Sequence, residues 1–146
     1  MLVPVAVVNC GRCGGKPPFL TCQYAGRANG VPMAASLATL KIARRDGVVE
    51  RIHRLGEKLR AGIAAQAKSI GICVRQTGPA QMPMILFDDD PERARGNFWV
   101  SESVKRGVYL HPWHNMFLCA AHTKADIDRT LEVTEEAFAA LSRSGP

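Results

Sequence analysis

No apolar run in this 146-residue chain approaches the ~20 residues that span a bilayer, because Pro, Arg or Lys interrupts the longest ones. A membrane-crossing helix is therefore not expected. No internal repeat appears. Aromatic residues are scarce, 6% of the chain, and none stands within the basic cluster Lys41, Arg44, Arg45, Arg51, Arg54, Lys58 and Arg60. Nucleic-acid binding calls for aromatics or a basic loop beside such a patch, so the net charge of +6 is not read that way. Asp46, Glu50 and Glu57 interleave with those cations at helical spacing, the pattern of a solvated helix face.

A second close cysteine pair is also missing. The five cysteines are Cys10, Cys13, Cys22, Cys73 and Cys119, an odd number that points to reduced thiols. Cys10-Gly-Arg-Cys13 has CxxC spacing, but no further pair of ligands completes a zinc site. A redox CxxC opens a helix, and Gly14, Gly15, Pro17 and Pro18 prevent one there. The opening MLVPVAVVN is apolar, yet it has no basic start and is broken by Asn9. The expectation is no secretory leader and a cytoplasmic location.

What is present is ordinary globular composition, 47% hydrophobic and 22% charged, at a length that buries a core without staples. Residues 3–8 read as a short buried strand or an extended entry segment, and residues 9–30, rich in Gly and Pro, as a loop region or a damaged one. From Pro32 the pattern becomes helical, with Met33, Leu37 and Leu40 on one stripe beside Ala34, Ala38 and Ile42. Asp46-Gly47 marks a break. A second helix then carries Val48, Ile52, Leu55, Leu59 and Ile63 at three- and four-residue steps, to end at Gly71. Gly56 and Gly62 weaken that helix or admit a close neighbour.

Strands are expected at 72–76 and 82–87, joined by a turn at Gly78-Pro79. Asp88, Asp89 and Asp90 precede Pro91. Three adjacent carboxylates do not converge on one ion, so Asp90 is read as the cap of a helix starting at Pro91. That helix runs through Phe98, Val100 and Val104 to Gly107. Further strands are expected at 108–110 and 116–120. Thr123 with Asp126 reads as a capping box, opening a last helix with Ile127, Leu131, Thr134, Phe138 and Leu141 on one face. The fold class expected is α+β, a small antiparallel sheet covered by helices.

Chemistry has two candidate places. The loop His111-Pro112-Trp113-His114-Asn115 is the densest polar and aromatic cluster, and imidazoles accept and donate protons near neutral pH. Two readings stand: a functional loop, or exposed imidazoles anchored by Trp113. His122, at a strand-to-helix joint, is read as a structural hydrogen-bonding group. The second place is Tyr24-Ala25-Gly26-Arg27-Ala28-Asn29-Gly30, a glycine-containing loop entering a helix N-terminus, a geometry suited to phosphate. Ordinary loops share that pattern.

Three blocks in order resemble one family. YAGRANGVPMAASLATL is similar to the GTxSGNPLAMAAxxATL tract of class III, fold-type I aminotransferases, above all glutamate-1-semialdehyde 2,1-aminomutases. Gly107-Val108-Tyr109-Leu110 with its His-Pro loop follows, and then AAHTKADIDRTLE, similar to the family's aHT-x-x-DID-x-T ending. The resemblance implies pyridoxal 5′-phosphate (PLP) as cofactor, a homodimer, and an amino acid or amino-aldehyde substrate. It implies that residues 1–30 are the remnant of a cofactor-domain loop and crossing segment, and 31–146 a C-terminal small domain like that of fold-type I enzymes. Tyr24, Ala25 and Gly26 would reach the cofactor phosphate of a neighbouring subunit, with Ala25 standing where the family has a phosphate-binding Thr. Asn29 matches the family's Asn, but Gly30 replaces the following Pro. His111, Trp113, His114 and Asn115 would line the substrate mouth.

VPVAVVNCGR is similar to the family's GxPVAAVxGR stretch, which follows the lysine that holds the cofactor. With Pro4 as that proline, the lysine falls ahead of Met1. Lys16 lies on the wrong side of Pro4 and is read as a loop lysine. The implied protein is a C-terminal fragment, inactive alone in transamination, with no catalytic residue assigned and no metal. The alternative is a non-catalytic module that binds an acidic partner through a basic helix over 41–60.

Overall fold

A computed structural model describes residues 30–88 and 90–144, so the expectations for residues 1–29 lie outside the described residues. The chain divides into two compact units, with the boundary between Val49 and Glu50. In the first unit, helix α1 spans Gly30–Arg45. Its stripe of Met33, Leu37 and Leu40 forms as the periodicity predicts, and these side chains are exposed. The Asp46-Gly47 turn, with Gly47 at φ +55°, ends α1. A single basic helix over 41–60 therefore does not form.

The second unit holds α2 (Val48–Ser69) from Glu50 onward, β1 (Val74–Thr77), β2 (Met84–Phe87), α3 (Ala94–Lys105) and α4 (Lys124–Ser144). The α+β expectation holds: four helices accompany a two-stranded antiparallel sheet in the described chain. Val74 pairs with Phe87 and Thr77 with Met84, which sends Ile85 and Phe87 into the core. α3 packs on α4 and over β2. Trp99, on α3, is fully buried and lies against Phe138 of α4 and Phe87 of β2, with ring centroids 5.1 and 5.7 Å away. Aromatic pairs at such spacing add to the burial of their area.

Helix α2 turns Gly56, Leu59, Ile63 and Ala67 inward. Gly56 admits a close neighbour, since a Cβ there would overlap the Ala80 carbonyl oxygen. Gln66 ties α2 to α4: its amide donates to the Leu131 carbonyl, and its oxygen accepts the buried Thr134 hydroxyl, both at 2.8 Å. Three cations of the expected basic face are engaged within the fold. Arg51 donates to the Ala120 carbonyl, Lys58 pairs with Asp128, and Arg60 donates to the Gly78 carbonyl.

Two expectations are corrected here. Residues 108–110 and 116–119 form no strand, and Ala120 lies in a turn. The Met116 and Leu118 N–H groups donate to the carbonyls of Pro83 and Gln81, each at 2.9 Å. Pro83 has no N–H to return, so a ladder does not develop. The helix expected at Pro91 starts instead at Ala94, preceded by a turn in which Arg93 adopts φ +59°, ψ +25°. Asp90 still satisfies the helix start, accepting the Gly96 and Arg95 N–H groups at 2.8 and 3.2 Å.

The capping box at α4 forms as expected. The Thr123 N–H donates to Asp126 Oδ2 at 2.7 Å, and the Asp126 N–H donates to Thr123 Oγ1 at 3.3 Å. Thr123→Ala should cost about 1 kcal/mol in a urea titration. The Thr123 backbone N–H, and then its hydroxyl, hold the Asp126 carboxyl below its ordinary value. A folded-state pKa that is depressed stabilises above the unfolded-state pKa, and that stabilisation is lost as pH falls through the folded value. The variant should accordingly lose less stability than the parent on acidification through that range.

Candidate functional site

The loop His111–Asn115 is pinned at both ends. Leu110 before it and Met116 after it are core residues, and the Met116 hydrogen bond to Pro83 fixes the exit next to β2. All four expected side chains, His111, Trp113, His114 and Asn115, therefore sit on one short, anchored segment. The His111 ring meets Trp113 edge-on at 4.9 Å and His114 at 5.6 Å. The Trp113 N–H donates to His111 Nδ1 at 3.4 Å, while His114 Nδ1 lies 3.0 Å from the Asn115 carbonyl oxygen. Partial burial, and then the neighbouring His114, lower the His111 pKa. A neutral imidazole whose Nδ1 accepts carries its proton on Nε2 and can donate from there.

Sequence reasoning missed Arg93. Its guanidinium lies over the Trp113 ring, 4.9 Å from the centroid, and Trp113 remains 42% exposed. This placement follows from the corrected helix start: the left-handed Arg93 backbone ends the turn after Asp90 on the side of the loop. Arg93 and Pro112 line a cavity of about 470 Å³ together with Arg75, Phe87, Asp88 and Asp90. Within it Arg75 pairs with Asp88 at 3.6 Å, and Asp90 is occupied by the start of α3. No local sequence signal couples Arg93 to Trp113, because the contact spans a whole helix.

A second cavity of about 180 Å³ is mainly apolar, lined by Leu59, Val108, Tyr109, Met116 and Ile127, with His122 and Asp126 among its polar groups. His122 Nδ1 accepts the Cys119 N–H at 2.9 Å, the structural role expected of it. No group of three or more metal-ligating side chains occurs among the described residues, and no described helix is long and apolar enough to cross a membrane. Neither cavity has a lysine in its lining, so neither offers an amine to seat an aldehyde cofactor covalently. Tyr24, Ala25 and Gly26, expected to reach a cofactor phosphate, lie outside the described residues, as do Cys10, Cys13, Lys16 and Cys22.

No protein-family model matches the chain. It is 50% identical over 135 residues to an aminopentol aminotransferase of Sphingopyxis macrogoltabida, a match covering 92% of this chain and 32% of that enzyme. A glutamate-1-semialdehyde 2,1-aminomutase of Desulfitobacterium hafniense is 33% identical over 131 residues, covering 80% of this chain and 30% of its own. Among solved structures, the FumI protein of Sphingopyxis sp. MTA144 in its PLP internal-aldimine form superposes with a TM-score of 0.74 at 50% identity. That superposition covers 77% of this chain and 27% of FumI. The homologues of this chain are thus aminotransferases and aminomutases, and its fold is that of the matching part of a PLP aminotransferase. The chain spans about a third of the length of the curated relatives it matches, as expected for a C-terminal fragment.

Proposed function

We propose that these residues are the small-domain portion of a PLP-dependent aminotransferase or aminomutase, and that by themselves they transfer no amino group. The observation that carries this reading is the 50% identity to the aminopentol aminotransferase over nearly the whole chain. The apolar stripe of α1 also supports it, since an exposed row of Met33, Leu37 and Leu40 suits a helix whose neighbours belong to the rest of a larger enzyme. In that enzyme PLP supplies the electron sink for amino transfer. This chain's contribution is then positional. Residues 1–30 belong to the cofactor-domain loop and crossing segment, and Tyr24, Ala25 and Gly26 approach the cofactor phosphate through backbone N–H groups. Residues 31–146 form the small domain, with His111, Trp113, His114 and Asn115 at the substrate mouth. The active form is a class III homodimer in the cytoplasm, acting on an amino acid, amino-aldehyde or related amine.

The motif alignment assigns the cofactor-holding lysine to none of the lysines in this sequence. Purified chain mixed with PLP should therefore show no borohydride-stable adduct and no protein-bound band in the region of roughly 400–430 nm. A reduced adduct mapping to one lysine, with amino transfer by the chain alone, would overturn this reading.

A further inference from the structure

We propose that residues 3–8 of this chain dock as an added strand beside Phe117, in the apolar cavity that Val108, Met116 and Ile127 line with it. The inference rests on the fragment reading. In the intact enzyme residues 1–30 go with the cofactor domain, so in the present chain a strand over 3–8 lacks that sheet. The cavity offers it an edge. Met116 and Leu118 donate to the carbonyls of Pro83 and Gln81, so 116–118 runs antiparallel to 81–83. Alternate residues of such a segment turn to opposite edges, which points the Phe117 N–H away from 81–83. Among the described residues that N–H has no hydrogen-bond partner, and neither do those of Tyr109 and Leu110, which also line the cavity. Unpaired backbone groups beside an apolar cavity are what an extended segment pairs with.

Charge narrows the occupant. The imidazole and charged side chains of the cavity are engaged already: His122 by the Cys119 N–H, Asp126 by Thr123, and Arg129 by Glu132. A charged peptide would bury its charge there without a partner, so the site favours an uncharged apolar segment. Outside the described residues, the longest uncharged apolar run is the one that contains residues 3–8. Val3, Val5 and Val7 share one face at the strand period, and β-branched side chains suit such a half-buried surface. Pro4 belongs to the alternate set, so its missing N–H falls on the edge opposite to the one these valines present. Residues 9–29 span up to about 70 Å when extended, so reach does not prevent docking.

The test follows the full 146-residue chain by NMR, reading hydrogen exchange at the Phe117 amide and NOEs from the Val5 methyls to the cavity. Slow exchange and those NOEs are expected, and both should survive dilution by about tenfold, because the pairing is within one chain. Val5→Asp should speed Phe117 exchange at least about tenfold, whereas Val5→Ile keeps it slow. The buried Trp99 indole signal stays fixed in both variants and reports that the fold is intact. Fast exchange at Phe117 in the parent, or protection that survives Val5→Asp, would overturn the proposal. Protection lost on dilution would overturn it too, by placing the segment of a second copy in the cavity. These readouts need neither PLP nor amino transfer, so their failure leaves the aminotransferase reading standing. Failure of that reading would appear in the activity of the intact enzyme instead.

Discussion

Trp99→Ala should destabilise the second unit by about 3–5 kcal/mol, the range for deleting a fully buried tryptophan. The indole has no exposed surface and fills the space between Phe87 and Phe138, so truncation leaves a cavity bounded by a strand and two helices. Neither Phe87 nor Phe138 can refill it without giving up its own contacts. Against a typical domain stability of about 5–15 kcal/mol, the loss is a large fraction of the total. Trp99→Phe should cost much less. The indole Nε1 donor is buried with no hydrogen-bond partner among the described residues, and phenylalanine removes that unsatisfied group while keeping most of the ring. Urea unfolding followed by far-ultraviolet circular dichroism separates the two variants. Equal midpoints for both would show that the aromatic cluster does not hold the unit together.

Gly56→Ala is expected to destabilise by about 2 kcal/mol or more, although helix propensity alone favours alanine by ~1 kcal/mol. The reversal comes from one contact. The new Cβ would overlap the Ala80 carbonyl oxygen and carbon, which are backbone atoms of the connection between β1 and β2 and cannot rotate away. Gly62→Ala is the control in the same helix. There the obstructing atoms are the methyl ends of Leu131, which change rotamer, so the effect should be small and its sign set by propensity. If Gly56→Ala raised the unfolding midpoint, the close approach of α2 to the Ala80 turn would be refuted.

The elements with strong periodicity were readable in the sequence. α2 and α4 carry apolar residues at three- and four-residue steps, and Leu59, Ile63, Ile127, Phe138 and Leu141 are buried as that pattern requires. α3 was legible as a helix through Phe98, Val100 and Val104, but not its buried row. Phe98 and Val100 pack half-buried against the core and Val104 is exposed, while the buried row is Gly96, Trp99 and Ser103. Two small residues on the inner face hide it from any hydrophobicity pattern. The Ser103 hydroxyl, donating to the Trp99 carbonyl at 2.9 Å, makes a polar side chain suitable for the core. Strands at 108–110 and 116–120 were expected from β-forming residues alone. A strand at 116–120 also needs a partner with free N–H groups, and Pro83, opposite Met116, lacks one.

The candidate site was half legible. His111, Trp113, His114 and Asn115 are contiguous, so composition marked them, and the structure adds the ring contacts among the first three. Arg93 was invisible because its contact with Trp113 depends on a left-handed residue inside what reads as a helix start, and on a ring that follows α3 in the chain. The family resemblance arose from contiguous blocks, the kind of signal a sequence retains even where tertiary contacts are unreadable.

The most direct test exchanges the matched third of the Sphingopyxis macrogoltabida aminopentol aminotransferase for the present chain and assays amino transfer by the chimera with PLP. If these residues are the small domain of such an enzyme, the chimera folds, carries PLP and transfers amino groups. A folded, PLP-loaded chimera that moves none would contradict the account.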